Sequence, residues 1–199
     1  MIGKENIVPN IYENINNKTL SNINFKEPIR DLFDFMFFTK RFCKDLIEVS
    51  DIYGNWSDGE NADKRLGGGY ENIPTRDIHL KQMGLADQWK FILDNYISKL
   101  ASHYYSYFRT NKTNIVFVVK YSMDGQKKLQ PYHDSSSYSV LFTLNKDFEG
   151  GGTHFIRQNY KTSNVPIGNC SLHPGKLTHY HEGLAITSGE RYIMVAFIN

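Results

Sequence analysis

The segment RYIMVAFI, residues 191–198, is apolar on both faces of an extended chain: Ile193, Val195 and Phe197 alternate with Tyr192, Met194 and Ala196. A strand with one solvated face alternates polar and apolar side chains, so this one predicts a central strand covered on both sides. Working outward from it, the second half of the chain breaks into further short strand patterns separated by Gly, Asp, Asn and Ser. They are NIVFVVKY (114–121), SSYSVLFTLN (136–145), GGTHFIR (151–157), GNCSLH (168–173) and GKLTHYHEG (175–183). Thirteen Tyr and thirteen Phe suit strands and a thick apolar core.

Two helical patterns precede them. Phe42, Leu46, Ile47 and Val49 predict a helix from about Thr39 to Tyr53, and Trp89, Ile92, Leu93, Tyr96, Ile97 and Leu100 form one stripe within residues 86–108. Helices followed by strands imply a mostly β domain, a double sheet or barrel, with helices on one face. Residues 1–27 are rich in Asn and read as a loosely ordered lead-in, leaving one domain over 28–199. The Gly- and Asp-rich stretch 54–77 is too long for a turn, and connections of that length are often functional covers.

Composition removes several function classes. A net charge of +2 with interspersed signs gives no basic stripe for nucleic acid. Cys43 and Cys170 are the only cysteines, too few for a zinc cluster or a disulfide framework, although one bridge between them is allowed. No segment approaches the apolar length of a membrane span and the N-terminus lacks a signal-peptide pattern, so the compartment is left open. The Ser135–Ser137 run lacks a nucleophile elbow, which argues against a serine hydrolase.

The chemistry-bearing residues are Tyr132-His133-Asp134, the cluster His173, His179 and His181, and Arg191. Singly, a His on a strand is usually a satisfied core residue and an Arg a solvated one. Together their order has a chemical meaning. Non-haem Fe(II) is held by two imidazoles and a carboxylate, leaving open positions for cosubstrate and oxygen. Arg191 follows His181 by ten residues, and a guanidinium there suits the far carboxylate of iron-bound 2-oxoglutarate, which it can grip as a planar fork.

Longer motifs sharpen this. GGYENIPTRDIHL (68–80), VFVVKY (116–121), DFEGGGTHF (147–155), LHPGKLTHYHEGL (172–184) and RYIMVAFI (191–198) make the chain resemble the C-terminal catalytic domain of the procollagen lysyl hydroxylases over most of residues 28–199. The resemblance implies a double-stranded β-helix (jelly roll) and a dioxygenase using Fe(2+), 2-oxoglutarate and ascorbate. It implies hydroxylation of C5 of lysine in a collagen-like peptide, an endoplasmic reticulum setting, and allows a homodimer. It makes Asp134 and His181 metal ligands, Arg191 the 2-oxoglutarate clamp and Tyr121 its neighbour. The loop 56–76 becomes, by position, a cover over the peptide. Gly150, Gly151 and Gly152 match a family feature whose physical reading is a bulge or close backbone approach.

Two positions depart from the pattern. Tyr132 stands where the family has its first ligand His, and Leu141 where an Asn contacts the cosubstrate. Strand alternation turns His133 away from the face shared by 132 and 134. Three readings stay open: coordination by a Tyr132 phenolate, a rearranged site recruiting His133 or His179, or a jelly-roll binding or partner module without efficient turnover.

Overall fold

The computed structural model describes residues 4–63, 69–106, 112–162 and 164–199. The N-terminal stretch differs from the expected loose lead-in. Residues Pro9–Asn16 form helix α1, which begins on a proline and buries Ile11 and Ile15. Ile7 bridges to Phe38, and the Val8 N–H donates to the Phe37 carbonyl at 2.8 Å. Ile7, Ile11 and Ile15 recur every four residues, so one helix face is apolar although Asn surrounds it.

Strands β1 (Lys26–Ile29) and β2 (Leu32–Met36) follow, then helix α2 (Lys40–Tyr53). Thr39 caps α2 by accepting from the Phe42 N–H, and Gly54 ends it in the left-handed region, so the predicted helix stands with Thr39 as its cap. It buries Phe42, Cys43 and Leu46, whereas Val49 is largely exposed. Short pairs β3 (Ala62–Asp63) and β4 (Gly69–Tyr70) flank residues outside the described set, and β5 is Asp77–His79. The second helical region is α3 (Ala86–Ile92), a π-helical turn (Leu93–Ile97) and α4 (Ser98–Tyr105). Its expected stripe, Trp89 through Leu100, is buried throughout.

The remaining strands are β6 (Thr113–Ser122), β7 (Leu129–Tyr132), β8 (Tyr138–Thr143), β9 (Phe148–Gly150), β10 (Thr153–Phe155), β11 (Tyr160–Lys161), β12 (Asn169–Pro174), β13 (His181–Gly183) and β14 (Ile186–Ile198). A major antiparallel sheet runs β1-β2-β12-β8-β14-β6-β5, with β9 also pairing β14, and a minor sheet runs β11-β10-β13-β7. As its pattern predicts, β14 is central, bonded to β6 on one side and β8 on the other. Residues 133–137 link β7 to β8. Of the strand expected over 175–183 only 181–183 forms, since residues 175–180 carry no strand, and β12 and β13 lie in different sheets.

Alternation along β8, β12 and β14 divides two cores. Val140, Phe142, Leu172, Met194 and Ala196 face outward to α1, α2 and the α3–α4 region; Phe117, Val119, Ile193 and Val195 face inward toward Leu129 and Tyr132 of the minor sheet. The outer layer is aromatic: Phe142 lies 4.7 Å from Phe38 and 5.4 Å from Phe37, ring centre to ring centre. Cys43 and Cys170 are both buried free thiols. Because Phe142 is fully buried, Phe142→Ala removes a ring that neighbouring rings cannot replace. Urea denaturation of that variant is expected to show a loss of about 3–5 kcal/mol.

Candidate active site

Asp134 sits on the link between β7 and β8, His173 near the end of β12, and His181 at the start of β13, so the site lies between the sheets. All three are buried, at 2–3% exposure. Asp134 Oδ1 is 3.7 Å from His181 Nε2 and Oδ2 is 3.9 Å from His173 Nε2. One ligand atom from each residue lies within 4.8 Å of the other two.

Backbone contacts fix both imidazoles. His181 Nδ1 is 2.8 Å from the His179 carbonyl and His173 Nδ1 is 3.0 Å from the Pro174 carbonyl. Since a carbonyl only accepts, each Nδ1 carries a proton, so Nε2 is the ring nitrogen that each histidine turns toward Asp134. Burial first, then the nearby His181, pushes His173 well below the usual imidazole range and keeps it neutral. Burial raises the Asp134 carboxyl, against the opposing influence of His181. Its Oδ1 has no hydrogen-bond partner among the described residues, while Ser139 supports the carboxylate through a side-chain hydrogen bond. A buried carboxyl facing two imidazole Nε2 atoms fits a divalent cation bound by oxygen and nitrogen.

The other histidines are directed elsewhere. His133 is exposed, its ring 4.6 Å from Tyr180, as alternation predicts. His179 does not join His181, contrary to the strand-based expectation, because residues 178–180 are not a strand. Its Nε2 donates to the Arg30 carbonyl at 3.1 Å and its Nδ1 accepts from the Thr178 hydroxyl at 2.9 Å. Tyr132 pairs directly with His181 across β7 and β13, their ring centres 4.5 Å apart. Burial, reinforced by Asp134, holds its hydroxyl well above the ordinary phenol range, which disfavours a phenolate. His173 stands among the chemistry-bearing histidines and within the motif LHPGKLTHYHEGL, without an assigned ligand role. The available signal was alternation along β12, where Cys170 and Leu172 face the outer core and Ser171 and His173 face inward.

Arg191 and Tyr121 are opposite one another in the β14–β6 register, and the guanidinium carbon lies 5.3 Å over the Tyr121 ring. Burial lowers the Arg191 pKa, opposed by Tyr121. Its Nη1 donates to the Gly152 carbonyl at 3.2 Å and its Nη2 reaches the Thr153 hydroxyl at 3.5 Å, both neutral partners. Beside it is a cavity of about 350 Å³ lined by Leu141, Thr143, Phe148, Ser171 and Arg191 among others. A buried cation with neutral partners opening onto a cavity suits a carboxylate ligand.

Gly150–Gly152 form one wall, each with positive φ. A Cβ on Gly152 would stand 2.7 Å from the Thr162 carbonyl oxygen, and one on Gly150 2.7 Å from that of Ala185. Close backbone approach therefore explains the glycines, and it holds the Gly152 carbonyl against Arg191. Part of the expected cover, residues 64–68, lies outside the described residues. In the following stretch, Ile73, Thr75 and Asp77 line a cavity of about 280 Å³ with Phe117, Leu129, Tyr132 and His133.

No family model matches the chain. Among curated proteins, the multifunctional procollagen lysine hydroxylase and glycosyltransferase of Caenorhabditis elegans is 47% identical over 174 residues, 85% of this chain and 24% of the relative. The multifunctional procollagen lysine hydroxylase and glycosyltransferase LH3 of Rattus norvegicus is 44% identical over 178 residues, 87% of this chain and 24% of the relative. Procollagen-lysine,2-oxoglutarate 5-dioxygenase 1 of Mus musculus is 42% identical over 193 residues, 95% of this chain and 26% of the relative. The chain thus spans about a quarter of the length of the curated relatives it matches. Among solved structures, the 2OG complex of the viral collagen prolyl hydroxylase from Paramecium Bursaria Chlorella virus-1 has a TM-score of 0.56 at 14% identity, covering 85% of this chain and 96% of that one. A prolyl-4-hydroxylase of Pseudomonas putida has a TM-score of 0.59 at 11% identity, covering 96% and 100%. At such identities these likenesses establish the fold alone, the jelly roll of the 2OG-Fe(II) oxygenases. The curated matches, at more than 40% identity over more than four fifths of its length, make this chain a homologue of the procollagen lysine hydroxylases, corresponding to their C-terminal domain.

Proposed function

We propose that the chain is an Fe(II)- and 2-oxoglutarate-dependent lysyl hydroxylase domain acting on C5 of lysine in collagen-like peptides. The observation that carries this reading is the buried Asp134 Oδ1, without a hydrogen-bond partner among the described residues and 3.7 Å from His181 Nε2. In this reading Asp134 and His181 bind the metal, and Arg191 receives the far carboxylate of 2-oxoglutarate. Fe(II), when bound, supplies the oxygen activation that couples 2-oxoglutarate decarboxylation to hydroxylation. The protein's own contribution is positional: the Gly152 carbonyl, the Thr153 hydroxyl and the Tyr121 ring hold the guanidinium so that a carboxylate meets a preset fork.

The cavity shared by Phe117, Leu129 and Tyr132 supports a lysine substrate, with apolar walls for its methylenes. Its edge, built by Ile73 and Thr75, supports the covering role of the 56–76 loop. Ascorbate as reductant and pairing of two copies belong to the same reading. A second reading, a non-catalytic binding module, is favoured by Tyr132 and Leu141, which put apolar surface where the family has polar groups.

The deciding assay is succinate release from 2-oxoglutarate with Fe(II) and a lysine-containing collagen peptide. Release is expected for the wild type, with Arg191→Met weakening 2-oxoglutarate binding by roughly 100-fold or more. Retained 2-oxoglutarate binding without any succinate would favour the binding module. Leu141→Asn restores one polar contact, worth about 0.5–1.5 kcal/mol, so isothermal titration should find 2-oxoglutarate bound roughly 2- to 10-fold more tightly.

Asp134 gives a test independent of turnover. Its folded pKa is raised, so the metal-free protein loses this group's share of stability as pH climbs from about 4, the unfolded value, through the raised one. Asp134→Asn removes that charge. Above the transition, metal-free Asp134→Asn is expected to be more stable than wild type, with the difference shrinking toward acid pH and no Mn(II)-induced rise in Tm.

A further inference from the structure

The resemblance leaves the metal one imidazole short, because Tyr132 holds the family's first ligand position. We infer that His173 completes the metal set, approaching from the major sheet on β12 in place of a side chain from β7. The inference rests on the function proposed above and specifies how its metal is held.

Three independent observations lead to His173. Its position is right: Nε2 lies 3.9 Å from Asp134 Oδ2, within the same group of ligand atoms as His181. Bonds of about 2.0–2.2 Å to a shared cation need only a small inward shift of each atom. Its tautomer is right, since the Pro174 carbonyl accepts from Nδ1 and leaves Nε2 as a ligand, the usual arrangement for a metal-bound imidazole. Its surroundings also limit what else it could do. The ring is buried among aromatic groups, 5.2 Å from Phe155 and 5.3 Å from His181, centre to centre.

The other nearby candidates have different partners. His133 is exposed beside Tyr180, and both nitrogens of His179 are engaged by Arg30 and Thr178. Tyr132 lies against the His181 ring and joins the inner apolar cluster. It therefore serves as packing that holds His181, while the second imidazole comes from another strand. Set on β12, the ligand is two residues along the same face from Ser171, which lines the cavity beside Arg191. The metal set and the cosubstrate cavity thus share one strand.

The test uses Mn(II) titration followed by electron paramagnetic resonance, without turnover. His173→Gln is expected to weaken Mn(II) binding by about tenfold or more, and Tyr132→His in that background to restore affinity to within a few-fold of wild type. Tyr132→Phe should leave the affinity unchanged. Wild-type protein loaded with Co(II) offers a readout that needs no variant. Two hyperfine-shifted, solvent-exchangeable imidazole N–H resonances are expected, because His173 and His181 each keep a proton on Nδ1. One such resonance, or wild-type affinity in a folded His173→Gln, would overturn the assignment. If Asp134→Ala and His181→Ala still lost binding, the proposed function would stand without it. A wild-type chain that binds no Mn(II) would overturn both.

Discussion

A carboxyl group sealed from water, its two oxygens turned to the Nε2 atoms of two histidines, is the constraint around which this fold is organised. Desolvating Asp134 is costly, and the Nδ1–H groups of both histidines are committed to backbone carbonyls. Such an arrangement survives only in a framework stabilised elsewhere. The outer face of the major sheet provides that stability, with Phe37, Phe38, Phe142 and Trp89 packed beneath the helices. The metal site and the main apolar core are thus on opposite faces of the same strands. Alternation along β8, β12 and β14 lets one short sequence serve both.

Much of this was legible in the sequence because the relevant signals are periodic. The doubly apolar RYIMVAFI gave the central strand, and the Trp89–Leu100 stripe gave the buried helical face. What stayed hidden lacked periodicity or mimicked another pattern. Three isoleucines spaced by four, two of them in α1, were diluted by Asn, so this stretch read as a loosely ordered lead-in. The stretch LFDFM in β2 ran directly into a helical pattern and gave no separate strand signal. GKLTHYHEG read as a strand, yet the ladder of β12 ends at Pro174, residues 175–180 carry no strand, and the chain changes sheets before His181.

That same misreading concealed the site's composition. If 175–183 were one strand, His179 and His181 would share a face and His173 would be remote from both. With the strand broken, alternation no longer relates them: His179 turns to Arg30, while His173 and His181 approach from different sheets. The Asp134–His181 pair and the Arg191–Tyr121 pair were accessible from motif order, because each is tied to a strand or its immediate end. A contact between sheets leaves no spacing rule in the sequence.

The substitution at 132 acquires a physical meaning in that geometry. β7 and β13 pair with a register irregularity between His181 and Gly183, and the minor sheet is built from strands of two to four residues. β12 pairs continuously with β8 over five residues and with β2 over four, fixing its backbone on both sides. A ligand on β12 is therefore held by a stiffer element than one on β7. Removing an imidazole from the weaker pair removes fewer constraints on the metal than removing one from the sheet centre would. The Tyr132 ring packs on His181 and lines a cavity with Phe117 and Leu129. In the proposed arrangement metal binding therefore rests on the rigid sheet, and Tyr132 gives the minor sheet an apolar wall.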